Sequence, residues 1–292
     1  MRQYQITELE QLTGIKAHTI RIWEKRYNLI EPDRTSTNYR RYNDDQVKKL
    51  LNVSTLLSNG YKISKIAALS EKDIHKKIVE LNSADNEDII CKNFINDLVQ
   101  AMLSFDEPAF EKTYSAVINR FGLFEAMLNV FYPLLNNIGL LWSINNVSPA
   151  QEHFASCLIS RKIMSATDGL PIANGKKKKF LLLLIPGEIH EISLLFANYI
   201  IRSKGHETIY LGQNVPYENV SAVLSKIKAD FILTFFTSPQ DEKAIYKDIK
   251  RHLKLTGNGK LLISGRSKTT IYLKDKLGAK IIGHPKELLE FL

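Results

Sequence analysis

Apolar positions recur with two different periods along the chain. Up to about residue 168 they fall three or four residues apart, the spacing of amphipathic helices. From Phe180 onward they fall in short runs separated by amphipathic stretches. In the first block, Thr7-Glu8-Leu9-Glu10 has the spacing of a capping box, and the helix it opens ends at Gly14. A second helix is predicted over Ala17 to Tyr27, with Ile20, Trp23 and Tyr27 as its buried stripe. Pro32 and the polar stretch to Asn38 break the pattern, and Tyr39-Arg40-Arg41-Tyr42 reads as a short extended segment, the shape of a wing. Asn43 or Asp44 caps the next helix, which carries Val47, Leu50, Leu51 and Leu57 and stops at Gly60; a further short helix starts near Ser64. Residues 71–87 are polar and read as a linker. Four amphipathic stretches follow, 88–103, 107–120, 123–141 and 148–166, for which a four-helix bundle is the economical packing. Beyond Gly175, strands are predicted at 180–185, 207–211, 230–236, 260–264 and 279–282, with helices near 190–204, 217–228, 240–254 and 286–292. That alternation implies a parallel sheet with crossover helices. The domain division is therefore 1–75, a linker 76–87, 88–170 and 176–292.

Composition narrows the class. The chain has 292 residues, 44% apolar and 24% charged, as expected of a globular protein of two or three units. Its two cysteines, Cys91 and Cys157, have no partner at metal-ligand spacing, which argues against a disulfide framework or structural zinc and for a reducing cytoplasm. Met1 to Tyr4 opens no signal core, and no apolar run is long enough to span a membrane, so none is expected as a partner. The net charge of +9 is unevenly spread: residues 1–80 carry a net +5, residues 81–170 a net −5 and residues 171–292 a net +9. A basic block can attract phosphates by releasing their counterions, although many basic surfaces are merely solvated.

Helix, glycine-containing turn, helix and arginine-rich wing together form a DNA-reading arrangement, the second helix entering the major groove while the wing holds phosphates. Lys16, His18, Thr19, Arg21 and Arg26 lie off the apolar stripe of that helix. Arg21, Arg34, Arg40 and Arg41 are candidates for phosphate contact and His18 and Thr19 for base edges, and Lys16, Arg26 and the wing's Tyr42 complete the DNA-binding candidates; Trp23 and Tyr27 read as core. The order Thr19-Ile20-Arg21-Ile22-Trp23-Glu24, Pro32, Arg34 and Arg40-Arg41-Tyr42 resembles the MerR-family winged helix-turn-helix, over about 75 residues. The resemblance implies double-stranded promoter or operator DNA as partner.

MerR-type regulators of metals or drugs usually follow the head with one long dimerisation helix, whereas an acidic bundle follows here. Within it, Trp142 is followed after nine residues by Glu152-His153. This is similar to the signature of the Car and Lit light-responsive cobalamin repressors, in which the bundle caps the upper face of the corrinoid. Taken alone, a Trp at a helix end and a Glu-His pair are more often core and surface. Directly after the first strand of the sheet block stands Gly187-Glu188-Ile189-His190-Glu191-Ile192-Ser193, then Gly205, Tyr210-Leu211-Gly212 and Pro216, which resembles the cobalamin-binding fold. The resemblance implies that His190 ligates cobalt and that Glu188 holds the other ring nitrogen. Without the family, His190 reads as a helix-start or surface residue. The chain departs from the pattern in three places. Ser193 replaces a small glycine. Leu233-Thr234-Phe235-Phe236-Thr237-Ser238 replaces a Ser-x-Leu, leaving Thr234 or Thr237 as hydroxyl donors and two Phe rings that could obstruct the nucleotide tunnel. Ser264-Gly265 replaces a Gly-Gly. Ser143 stands where some light-sensing relatives carry a second His.

The fold expected is multidomain α and α/β: a MerR-type winged helix-turn-helix, a four-helix bundle cap and a Rossmann-like cobalamin-binding parallel sheet. The function implied is a cytoplasmic repressor and photoreceptor that binds adenosylcobalamin, assembles as a dimer or tetramer on its operator, and is not an enzyme. The competing reading keeps the head but makes the rear half an oligomerisation or protein-sensing module without cofactor. A corrinoid methyl carrier is disfavoured by the head and by the lack of a nucleophile, paired carboxylates or a substrate domain.

Overall fold

The computed structural model describes residues 3–35, 37–82, 87–143, 148–171, 177–237, 242–256, 259–265 and 268–292. The chain divides into two compact units, Met1–Ser156 and Cys157–Leu292.

The first unit opens with helices α1 (Ile6–Thr13) and α2 (Ala17–Tyr27), joined through Gly14. The capping box sits two residues earlier than Thr7: Gln5 is the N-cap, and the Glu8 carboxylate accepts the Gln5 amide. The α2 boundaries match the sequence pattern; Ile20 and Trp23 are buried, while Tyr27 is only half-buried under the Arg26 guanidinium, 5.4 Å from its ring centroid. The wing is a two-residue ribbon, β1 (Asp33–Arg34) paired antiparallel with β2 (Arg40–Arg41). Tyr4 bridges to Tyr42, which ties the ribbon to the start of the chain. Helix α3 (Asp44–Ser58) is capped by Asn43, whose side chain accepts the Gln46 amide. A single turn, α4 (Ile63–Ile66), leads into α5 (Glu71–Asn82). The residues expected as a polar linker are thus largely helical, held by Ile74 and Ile78, both buried and one helical turn apart.

Helices α6 (Glu87–Leu103), α7 (Glu107–Ala126), α8 (Tyr132–Ser143) and the first turns of α9 (Pro149–Asp168) form the helical bundle of the first unit, and the division between the units falls within α9. α7 breaks at Gly122 and runs into α8 through a wider π-type turn, Met127–Phe131, so the expected stop at 122 is a kink between two helical segments. Tyr114 stacks on Phe131 at 5.0 Å in the bundle interior, and at its edge Phe154 meets the exposed Phe105 and the buried Phe110 edge-on at 5.5 and 6.1 Å. The head is packed directly on α6, where Asn96 donates to Thr55 Oγ1 (2.7 Å) and Gln100 donates to Asn52 Oδ1 (3.3 Å).

The second unit is a five-stranded, all-parallel sheet of β3 (Lys179–Leu183), β4 (Glu207–Gly212), β5 (Phe231–Phe235), β6 (Lys260–Ser264) and β7 (Lys280–Ile281), in the order β4-β3-β5-β6-β7. Its helices are α10 (Ile192–Ser203), α11 (Tyr217–Leu224), α12 (Glu242–Thr256), α13 (Lys268–Leu277) and the short α14 (Pro285–Leu288). Strand alternation separates two faces. Leu181, Leu183, Ile232, Phe236, Leu261 and Ile263 pack with Val220, Ile245, Ile249 and Leu273 from α11, α12 and α13. On the opposite face Phe180 stacks on Phe231 at 4.7 Å, and Phe231 meets Phe291 near the carboxyl terminus. In this strand order the chain winds outward in both directions from β3 and β5, and the crevice beyond their carboxyl ends is where such sheets hold ligands.

Candidate functional site

Two clusters of candidate residues emerge, one in each unit. In the head, the outer side of α2 carries exposed Lys16, His18, Arg21 and Arg26 with half-exposed Thr19, all opposite the buried Ile20 and Trp23. Lys16 makes a surface ion pair with Glu10 at 2.9 Å, an exposed contact of small energetic weight. Arg34 is exposed on the wing and donates to Asn38 Oδ1 at 2.6 Å; Arg41 is half-exposed.

Arg40 and Tyr42 do a different job from their neighbours. Both converge on the Glu24 carboxylate, Arg40 Nε donating to Oε2 at 2.9 Å and the Tyr42 hydroxyl donating to Oε1. Tyr42 is fully buried, and burial together with the Glu24 hydrogen bond pushes its phenol far above the usual range. Tyr42 is therefore a bolt between wing and α2, and not a surface that DNA can touch, contrary to its place among the sequence candidates. Arg40 is half-exposed, its Nε committed to Glu24, with the guanidinium Nη groups unpaired among the described residues.

The second cluster lies at the carboxyl ends of β3 and β5. Glu188, in the loop after β3, is fully buried. Its carboxylate accepts the amides of Ile189 (3.1 Å), His190 (3.1 Å) and Thr237 (2.8 Å). His190 Nδ1 lies 2.6 Å from Glu188 Oε1 and 2.8 Å from Thr237 Oγ1. Burial by itself raises the Glu188 acid, but hydrogen bonds from Thr237 and His190 outweigh it and hold the carboxyl down at about 2. A carboxylate only accepts, so in the neutral imidazole the proton sits on Nδ1 and the lone pair is left on Nε2. Nε2 has no partner among the described residues, and the side chain is 63% exposed. An imidazole with one nitrogen clamped and the other open is the donor a transition metal needs.

The surroundings are built to the same end. Glu191 accepts the Tyr210 hydroxyl at 2.8 Å, and a side chain at Gly212, where φ is +79°, would come within 3.1 Å of that carboxylate. Thr234, on β5, is buried with its hydroxyl unpartnered among the described residues. By strand alternation it lies on the same side of β5 as Ile232 and Phe236, and its hydroxyl is a buried polar group that lacks the partner such groups ordinarily have. Ser193 is half-buried in the first turn of α10, and Ser264 is half-buried at the end of β6. Gly265, with φ +134°, lies so close to the Phe236 backbone that a Cβ would stand 2.1 Å from its carbonyl oxygen, so glycine is required there by packing alone. Of the two phenylalanines, Phe236 belongs to the core on the α12 face while Phe235 is half-buried on the other.

In the bundle, His153 Nδ1 lies 3.1 Å from Glu152 Oε2, with His153 exposed. The Trp142 side chain lies outside the described residues, as does Ser238. Thr237 is the residue whose role the sequence left open: it was one of two hydroxyl candidates, and it is the one that reaches both Glu188 and His190. The signal was its position at the end of the third strand of a parallel sheet, beside the switch in strand order.

Comparison with known proteins finds family matches on the head and on the helical bundle. A model of the MerR HTH family regulatory protein matches residues 4–73, and a model of the B12 binding domain matches residues 94–164. The chain is 27% identical over 234 residues to the HTH-type transcriptional repressor CarH of Myxococcus xanthus, covering 79% of this chain and 78% of that protein. It is 24% identical over 252 residues to the repressor CarA of the same organism, covering 84% and 82%. Among solved structures, the Methanosarcina barkeri monomethylamine corrinoid protein superposes with a TM-score of 0.54 at 11% identity, over 68% of this chain and 97% of that one, a likeness of fold.

Proposed function

We propose that this chain, in which a MerR-type helix-turn-helix head is joined to a B12-binding domain, is a DNA-binding transcriptional repressor, not an enzyme, whose hold on its operator is set by cobalamin. The observation that carries the cofactor half is the His190 imidazole, its Nδ1 clamped by buried Glu188 and its Nε2 left open. His190 would offer Nε2 as a ligand to the cobalt of a bound corrinoid. Glu188 and Thr237 fix the tautomer and the ring plane, and the Thr234 hydroxyl is available to a polar atom of the cofactor. Adenosylcobalamin, the form we favour, supplies a cobalt–carbon bond that light can break. Its loss would shift the protein between DNA-competent and incompetent homo-oligomers in the cytoplasm.

The test is an absorption spectrum of the purified protein after incubation with adenosylcobalamin and gel filtration in darkness, then after green light. A corrinoid spectrum that co-elutes with the protein and changes on illumination is expected, together with loss of a retarded operator band. His190→Ala should abolish corrinoid retention while leaving the fold intact, because the side chain is mostly exposed. Protein that emerges colourless would remove the cofactor from the proposal. Ser193 in the first turn of α10 and the half-buried Phe235 support a second reading, a rear half that only joins copies or senses a protein. On that reading His190→Ala leaves operator regulation unchanged.

A further inference from the structure

The largest concentration of positive charge lies outside the head. Residues 171–292 carry 20 Lys and Arg against 11 Asp and Glu, a larger excess than in residues 1–80. Within that block α12 is two-faced. Ile245, Ile249, His252 and Thr256 are buried, and Ile245 and Ile249 belong to the sheet core. The opposite side presents Lys243, Lys247, Lys250 and Lys254, at helical spacings of four, three and four residues, with Arg251 beside them, all exposed. At 1.5 Å per residue this stripe runs about 17 Å. Lys274 and Lys276 of α13 are exposed as well, and Tyr246 of α12 packs edge-on against Tyr272 of α13 at 6.0 Å. Among the described side chains of these two helices, Asp248 and Asp275 are acidic.

We infer that the exposed face of α12 is a second duplex-DNA contact, gripping the phosphate backbone that flanks the site read by the head. The inference rests on the DNA-binding reading of the head and extends it to the sensor unit. Duplex DNA fits the stripe because it carries about one negative charge per 1.7 Å of its axis, so lysines at helical spacing meet phosphates without a specific register, Lys250 from a position over the Tyr246 ring, to whose hydroxyl it donates at 3.0 Å. Tethering to a bound head keeps such phosphates at high effective concentration. Thr237, which braces His190, precedes α12 by a few residues in the chain.

The test uses the full-length chain and duplexes selected by it from a random library. Binding of the wild type and of a Lys247→Gln/Lys250→Gln/Lys254→Gln variant is measured from 50 to 300 mM salt. The expected result is a fall in the slope of log K against log salt by roughly 2 to 3, at about 0.9 per lost phosphate contact. Trimming the selected duplex to the footprint of the head should weaken the wild type at least tenfold and the variant hardly at all. Equal slopes for the two proteins would overturn the inference, as would a variant that binds normally but no longer self-associates, which would assign the stripe to the acidic bundle of a second copy. If the wild type retains no duplex at all, or if Arg21→Ala changes nothing, the DNA-binding reading of the head fails first. Unchanged melting of the variant, expected for exposed positions, excludes misfolding as the cause.

Discussion

Both units of this protein hang their working groups on a glutamate, Glu188 fully buried and Glu24 partly so, and the two are used in opposite ways. Glu24 in the head takes a cation and a phenol, Arg40 and Tyr42, and so locks a two-residue wing onto the outer helix. Glu188 in the rear unit takes three backbone amides and one imidazole nitrogen, and so locks a loop while leaving Nε2 untouched. The first arrangement makes a rigid surface from many side chains. The second leaves a single ring nitrogen open. DNA recognition needs a shape that persists over tens of ångströms, whereas metal ligation needs one lone pair aimed outward, and the hydrogen-bond patterns differ accordingly.

The comparison predicts that the rear anchor is the more costly to lose. Glu188→Ala strips the acceptor from the Ile189, His190 and Thr237 amides in a fully buried position, and should destabilise the rear unit by about 3–5 kcal/mol. Urea unfolding followed by hydrogen exchange at β3 would report it. A loss under 1 kcal/mol would mean that the loop stands without its carboxylate.

Acid should reproduce most of that loss without a mutation. The Glu188 acid is depressed from 4.5 to about 2 on folding. Its stabilising contribution is therefore complete above pH 4.5 and drains away as pH falls from there through 2. The amount is on the order of 3 kcal/mol. Glu188→Gln should flatten this part of the pH dependence. An identical acid limb in wild type and variant would place the titrating group elsewhere.

Glu24→Ala comes next, at about 2 kcal/mol, mainly because the buried Tyr42 hydroxyl loses its acceptor while the half-exposed Arg40 can turn to water. Its larger effect should be on operator affinity, since the wing is no longer bolted to α2. Gel retardation with Tyr42→Phe as a control separates the two roles: that variant keeps the ring in place and removes only the hydroxyl.

These anchors also show what the sequence could and could not convey. The ends of α2 and the positions of the central strands β3, β5 and β6 follow from periodicity, because each buries a continuous apolar face. Two helices were missed for a common reason. α5 buries only Ile74 and Ile78 within a strongly polar stretch, and α13 buries Thr269 and Thr270 beside Leu273, so neither shows a continuous apolar stripe. The glutamate anchors were half legible. Glu188 was named through its spacing to His190, but its depth is set by the amide of Thr237, 49 residues further on, which only the parallel register of β3 and β5 brings near. Tyr42 was misjudged because a Tyr beside two arginines looks like a DNA contact until the Tyr4 bridge and Glu24 are seen to bury it.

The smallest predicted effect is also the one that distinguishes a site awaiting a ligand from a merely imperfect core. Thr234 buries a hydroxyl that finds no partner among the described residues. Thr234→Val is nearly isosteric and favourable in a strand, so it should raise the stability of the cofactor-free protein by about 1 kcal/mol. If that hydroxyl is held in reserve for a polar atom of the corrinoid, the same change should lower the melting temperature gained on adding cobalamin, so that the variant is the more stable protein alone and the weaker binder. A variant stabilised equally with and without cobalamin would make Thr234 a packing flaw and leave His190 as the anchor of the rear site.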